Sequence, residues 1–148
     1  MTRKGEKRQL VPEDSGVYLA PAEKQSLQAI SAASGCFWIR ADLQAARDKT
    51  ELLAEWARQL KFPAHFGANW DAFADCVRDL SWLPARGYVI DCANMNHFSE
   101  SAGSDAVVLV DVLRSAAADW RSRGKIFIVL VDSAPAGLKL RKFSQLPS

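Results

Sequence analysis

With 148 residues, 49% of them apolar and 24% charged, the chain is long enough for one compact core without disulfides or structural metal. Met1 to Gly16 is charged and lacks an apolar stretch, and the longest aliphatic-aromatic run, Ile126 to Val131, falls far short of the ~20 residues of a membrane span. This leads us to expect a soluble cytoplasmic protein with no membrane partner. The net charge of +2 hides an asymmetry: 1–8 and 136–148 hold 7 of the 19 basic and 1 of the 17 acidic residues. That leaves 12 basic against 16 acidic residues, a net charge of −4, in 9–135. A folded part of that sign suits a cationic partner better than phosphate, so no direct nucleic-acid binding is expected.

Residues 1–14 are polar, charged and contain Pro12, the composition of a flexible basic arm. Gly16 to Ala20 reads as a short edge strand. Pro21 opens a helical segment with Leu27 and Ile30 on one side, closed by Gly35 as a C-terminal cap. Cys36-Phe37-Trp38-Ile39 reads as a buried strand. Asp48 with Glu51 three residues on resembles a capping box, and Leu52, Leu53, Trp56 and Leu60 give helical spacing up to Phe62-Pro63.

The next stretch, Phe62 to Leu80, is the most informative in the chain. Asn69, after a Gly67-Ala68 turn, is suited to cap a helix beginning at Trp70, because its side chain can accept from a free N–H of the first turn. With Trp70 at zero, Phe73, Ala74, Cys76, Val77 and Leu80 form an apolar side, while Asp71, Asp75 and Asp79 fall near about 100°, 140° and 180°. Like charges one turn apart cost a few tenths of a kcal/mol per pair, and Asp79 opposes the helix dipole. Helix stability alone does not call for that row. On residue types it fits a solvated face, a contact surface, or a carboxylate pair, Asp71 and Asp75, for Mg²⁺ or acid–base work.

Tyr88-Val89-Ile90 follows as a strand. Asn94 to Ser104 is polar and reads as a short helix or an irregular crossover. Ser104 or Asp105 then caps a helix with Val108, Leu109, Val112, Leu113, Ala116 and Trp120 as its apolar stripe, ending at Gly124. Ile126 to Val131 is a continuous apolar run suited to a central parallel strand. Residues 135–148 read as a flexible basic tail. Strands alternating with helices predict an α/β fold, a small and mostly parallel three- or four-stranded sheet packed by helices, forming one domain over 15–134.

Neither GxGxxG nor GxxxxGK[ST] is present, which removes the main support for a nucleotide site. Cys36, Cys76 and Cys92 are odd in number, lack CxxC spacing and sit in apolar patterns, so they are expected to be reduced, mostly buried thiols. His65 and His97 have no spacing relation to a thiol or to each other that makes a nucleophilic or metal site. We expect no catalytic residues, no metal and no cofactor.

The residues assembled to this point resemble the barstar family of intracellular ribonuclease inhibitors. The likeness rests on Phe62-Pro63, His65-Phe66, Gly67-x-Asn69-x-Asp71-Ala72 and Asp75-Cys76, followed by an apolar strand, a helix and a C-terminal apolar strand, and covers about 36–133. It implies a barstar-like fold and an immunity protein that is not an enzyme. Such a protein lays an acidic helix and its preceding loop into the active site of a basic, barnase-like ribonuclease or meets another cationic protein. Carried onto this chain, Asp75 is the central acidic plug, Asp71 its neighbour, and Asn69, Gly67 and His65 the loop contacts. Against the family pattern, Ala74 stands where a tryptophan is expected, His65 replaces a tyrosine, Arg78 places a cation on the edge of the acidic face, and Ser115 stands where a glutamate is expected. These differences keep a second reading in play, a barstar-fold interaction module with a non-nuclease partner.

Overall fold

The computed structural model describes residues 9–64 and 66–143. Its elements run β1 (Gly16–Leu19), α1 (Gln25–Ala33), β2 (Cys36–Asp42), α2 (Lys49–Leu60), α3 (Trp70–Asp79), β3 (Gly87–Ala93), α4 (Met95–Ser122) and β4 (Ile126–Val131), preceded by a 3₁₀ turn at Pro12–Asp14. This is the strand and helix order read from the sequence. The four strands form one sheet in the order β1-β4-β3-β2, all parallel, so an α/β fold holds with four strands.

Every residue of β3 and β4 is buried, because helices cover both faces of the sheet. Alternation along the strands divides the interior. Val89, Ile126, Ile128 and Leu130 meet Leu27 and Ile30 of α1 on one face. Tyr88, Ile90, Cys92, Phe127, Val129 and Val131 face the larger core built by α2, α3 and α4. Gly87 has to be glycine: a Cβ there would stand 2.5 Å from Ile126 Cβ and 2.7 Å from Ile126 O, so the close approach of β3 to β4 leaves no room for a side chain.

α4 is two helices joined at Ala102, whose φ of −147° and ψ of 57° break the helical path. The polar stretch from Asn94 is therefore a short helix, and the long apolar stripe belongs to the segment beyond the kink. At its start, Asp132 Oδ1 accepts from the Met95 N–H at 2.6 Å, and Asn94 Nδ2 donates to Asp42 Oδ1. Buried Asp91 is bonded to Lys24 Nζ at 2.9 Å and Arg40 Nη1 at 3.2 Å. The crevice at the C-terminal ends of the strands, where parallel α/β sheets commonly receive ligands, is bridged by the chain's own ion pairs.

Three expectations need correction. β2 is an edge strand and not a buried one, with Phe37 43% exposed; a short aromatic run does not distinguish edge from centre. The arm expected over 1–14 is packed from Leu10 on: Leu10 is buried against α1 and its N–H donates to Ser34 Oγ at 2.9 Å. Pro12 begins the 3₁₀ turn that brings the chain to β1. The tail expected over 135–148 is likewise packed through Phe143. Leu19 N–H donates to Arg141 O at 2.8 Å, Phe143 N–H donates to Leu19 O at 2.9 Å, and Phe143 is buried against Tyr18. An uncovered edge strand exposes unpaired backbone groups, and this segment covers the outer edge of β1. Residues 1–8 and 144–148, where the rest of both expectations falls, lie outside the described residues.

Candidate protein-binding surface

The cap at the start of α3 is the one its sequence calls for. Asn69 Oδ1 accepts from the Ala72 N–H at 2.8 Å, satisfying a first-turn donor. Phe73 and Val77 are buried on the inner side, and Leu80, at the C-terminal cap, adopts a left-handed φ of 48° with its side chain fully buried. Ala74 and Cys76 lie at the margins of that face, half-buried.

Aromatic rings brace the loop before α3. Phe62 lies 5.0 Å from Phe66, 6.0 Å from Phe73 and 6.1 Å from Trp82, and Phe73 in turn contacts Trp70 and Trp56 at 5.7 and 5.4 Å. Trp82 is a further brace: it is half-buried and its Nε1 donates to Leu60 O at 2.9 Å. From α4, Trp120 Nε1 donates to Val77 O at 2.7 Å, and Arg123 at the C-terminal cap of α4, its guanidinium 4.0 Å from the Trp120 ring centre, donates to Arg78 O at 2.6 Å. These bonds satisfy carbonyls at the end of α3 and fix its rotation.

With the inner side fixed, Asp71, Asp75 and Asp79 are exposed on the outer side. None of the three has an ion-pair partner among the described residues. Burial, then the charges of Asp75 and Asp79, push the Cys76 thiol above its ordinary range, which makes it a poor nucleophile. Burial likewise raises Cys36 to about 11 and raises Cys92 further. Cys92 is buried, but Cys36 and Cys76 are only half-buried, a correction to the expectation for the thiols. No group of three His, Cys, Asp or Glu side chains among the described residues is placed to hold a metal ion.

Gly67 and Asn69 stand exposed beside this row. A Cβ on Gly67 would meet Asn69 Nδ2 at 3.5 Å, an ordinary contact, so the fold itself does not demand glycine there. His65 falls outside the described residues. Arg78 points away from Asp75: its Nη2 donates to Ser115 Oγ on α4 at 2.8 Å. Ala74, Arg78, Asp111, Val112 and Ser115 line a groove between α3 and α4. Asp111 was not singled out from sequence, and Val112 was read only as part of the apolar stripe of its helix. Asp111 stands one helical turn before Ser115, the spacing that places both on one face, and that was the available signal.

The fold and this surface define a small parallel α/β domain that presents an anchored acidic helix. A family model described as Barstar (barnase inhibitor) matches residues 37–132, and the chain belongs to the barstar family. The match leaves β1, α1 and the segment after β4 outside it. No curated protein matches the chain.

Proposed function

We propose that the protein acts inside the producing cell as an inhibitor of a basic ribonuclease, with α3 and the loop before it entering the nuclease active site. The carrying observation is the row Asp71, Asp75 and Asp79, exposed and without ion-pair partners among the described residues, on a helix held in place from behind. Carboxylates there meet the Arg and Lys donors that would otherwise bind substrate phosphates, as charge-assisted hydrogen bonds. Complementary potentials also speed encounter. Gly67 and Asn69 supply the adjoining loop contacts, His65 is assigned to the same loop, and Ala74 and Arg78 form the flank toward α4. Family membership supports this reading through its description as a barnase inhibitor.

Asp75→Ala tests it. Against a cognate basic ribonuclease, removal of a central interfacial carboxylate is expected to cost about 2 kcal/mol or more of affinity, with the thermal transition unchanged because Asp75 is exposed. Unchanged inhibition would exclude the acidic-helix mechanism. A second reading, a barstar-fold module with a non-nuclease partner, draws on the Arg78–Ser115 bond, which fixes a cation on the α4 flank of the acidic helix. Affinity capture of a partner devoid of nuclease activity would favour it.

A further inference from the structure

A second charged surface lies elsewhere on the molecule. Arg114 and Arg121 stand two turns apart on α4, about 10.5 Å along its axis. With Lys139, Arg141 and the Tyr18 ring they line a cleft of about 280 Å³ between α4, β1 and the C-terminal segment. Glu13 is the carboxylate in that lining. None of the four cations has an ion pair with a carboxylate among the described residues.

The fold anchors the Arg114 side chain and the backbone of Lys139 and Arg141. Arg114 Nη2 donates to Lys139 O at 2.8 Å, and Arg141 O accepts from Leu19 N–H. The Arg141 guanidinium lies 5.9 Å from the centre of the Tyr18 ring. That ring is itself fixed, its Oη donating to Asp14 O at 2.8 Å and its edge meeting Phe143 at 5.0 Å. Around the α4 axis, Arg114 and Arg121 are turned by about 90° from the Asp111–Ser115 side that meets α3, so the two charged surfaces lie on different sides of the helix.

We propose that this cleft binds the phosphate backbone of a single-stranded nucleic acid. Three of the four cations are arginines, whose planar fork pairs with phosphate oxygens bidentately. Their spread along α4 suits successive phosphates, and an open cleft suits a passing chain. Half-buried Tyr18 places an aromatic ring in the cleft wall beside these cations, the residue type on which single-strand binders stack bases and for which an acidic peptide has no need. The sequence alone led to the opposite expectation because Lys139 and Arg141 read as a solvated tail; the fold brings them to α4. Tyr18, Lys139 and Arg141 lie outside the barstar match at 37–132, so the site stands independently of the proposed inhibitor role.

The test is fluorescence anisotropy of a short labelled oligouridylate with the full chain, at about 50 mM and about 200 mM salt. Saturable binding that weakens about tenfold or more between these conditions is expected from three or four phosphate contacts. The pair Arg121→Glu and Lys139→Glu should weaken binding about tenfold at the lower salt with an unchanged melting temperature; Arg114 is kept because it fastens the tail. The charge-matched pair Lys61→Glu and Arg86→Glu, outside the cleft, should leave binding intact. The proposal is overturned by absence of binding at low salt, by equal binding of the cleft variant, by equal loss in the control pair, or by a polyglutamate peptide that outcompetes the RNA.

Discussion

Arg78 on α3 donates from Nη2 to Ser115 Oγ on α4 across 2.8 Å, and this bond turns the guanidinium away from the aspartate row. Both residues are exposed, so Arg78→Ala should change stability by no more than about 0.5 kcal/mol. For a cationic partner, removal of the like charge should raise the association rate at low ionic strength, with the gain fading as salt is added. Stopped-flow association against a basic nuclease, at two salt concentrations, measures this. A lower rate in the variant would indicate a partner that presents an acidic group to Arg78.

Two glycines separate steric need from conformational permission. Gly87→Ala places a Cβ within 2.7 Å of Ile126 atoms in the central strand pair, and overpacking of this kind costs about 1–3 kcal/mol or more. Gly103, in α4, has nothing within 4 Å of the added atom. Gly103→Ala should therefore stabilise by about 0.5–1 kcal/mol through helix propensity and the unfolded chain. Paired urea titrations show both signs.

Much of this arrangement was legible because local signals agreed with the final packing. Asn69 before Trp70, the apolar spacing of Phe73, Val77 and Leu80, and the unbroken run from Ile126 to Val131 each act within a few residues. The missed features depend on partners distant in sequence. Leu10 and Phe143 stand among charged and polar residues without a helix or strand periodicity, and their burial follows from α1 and the uncovered edge of β1. Arg78 looks like part of the acidic row on a helical wheel, and its turn toward Ser115 requires α4 beside it. The αL caps at Lys61 and Leu80 escaped a rule that looks for glycine; at Leu80, full side-chain burial offsets the cost of the left-handed backbone.

Phe143 provides a test of the packed C-terminal segment. Its ring is buried against Tyr18 and shares a core with Leu27, Ile30 and Ile128. Phe143→Ala should cost about 3 kcal/mol, the low end for a core phenylalanine because the segment can relax outward. The accompanying local effect is faster hydrogen exchange at Leu19, whose N–H donates to Arg141 O. A variant with unchanged melting and unchanged Leu19 protection would show that the segment does not close the sheet.

Acid should weaken the end of the sheet where Asp42 sits. The hydrogen bond from Asn94 Nδ2, then the Gln44 N–H and Arg40, hold the Asp42 carboxyl below its ordinary range against a smaller opposing effect of burial. As pH falls below about 4, the unfolded chain takes up this proton before the folded one does, so the folded state loses stability until Asp42 is protonated in both. The contribution is fully present above the unfolded-state value and disappears below the folded one. The side chain is 38% exposed, which keeps the effect small through solvent screening. Asp42→Asn should lower stability at neutral pH and flatten the dependence below about pH 4. Thermal melts of both proteins across that range measure the difference in slope, and parallel curves would show that Asp42 is not the group responsible.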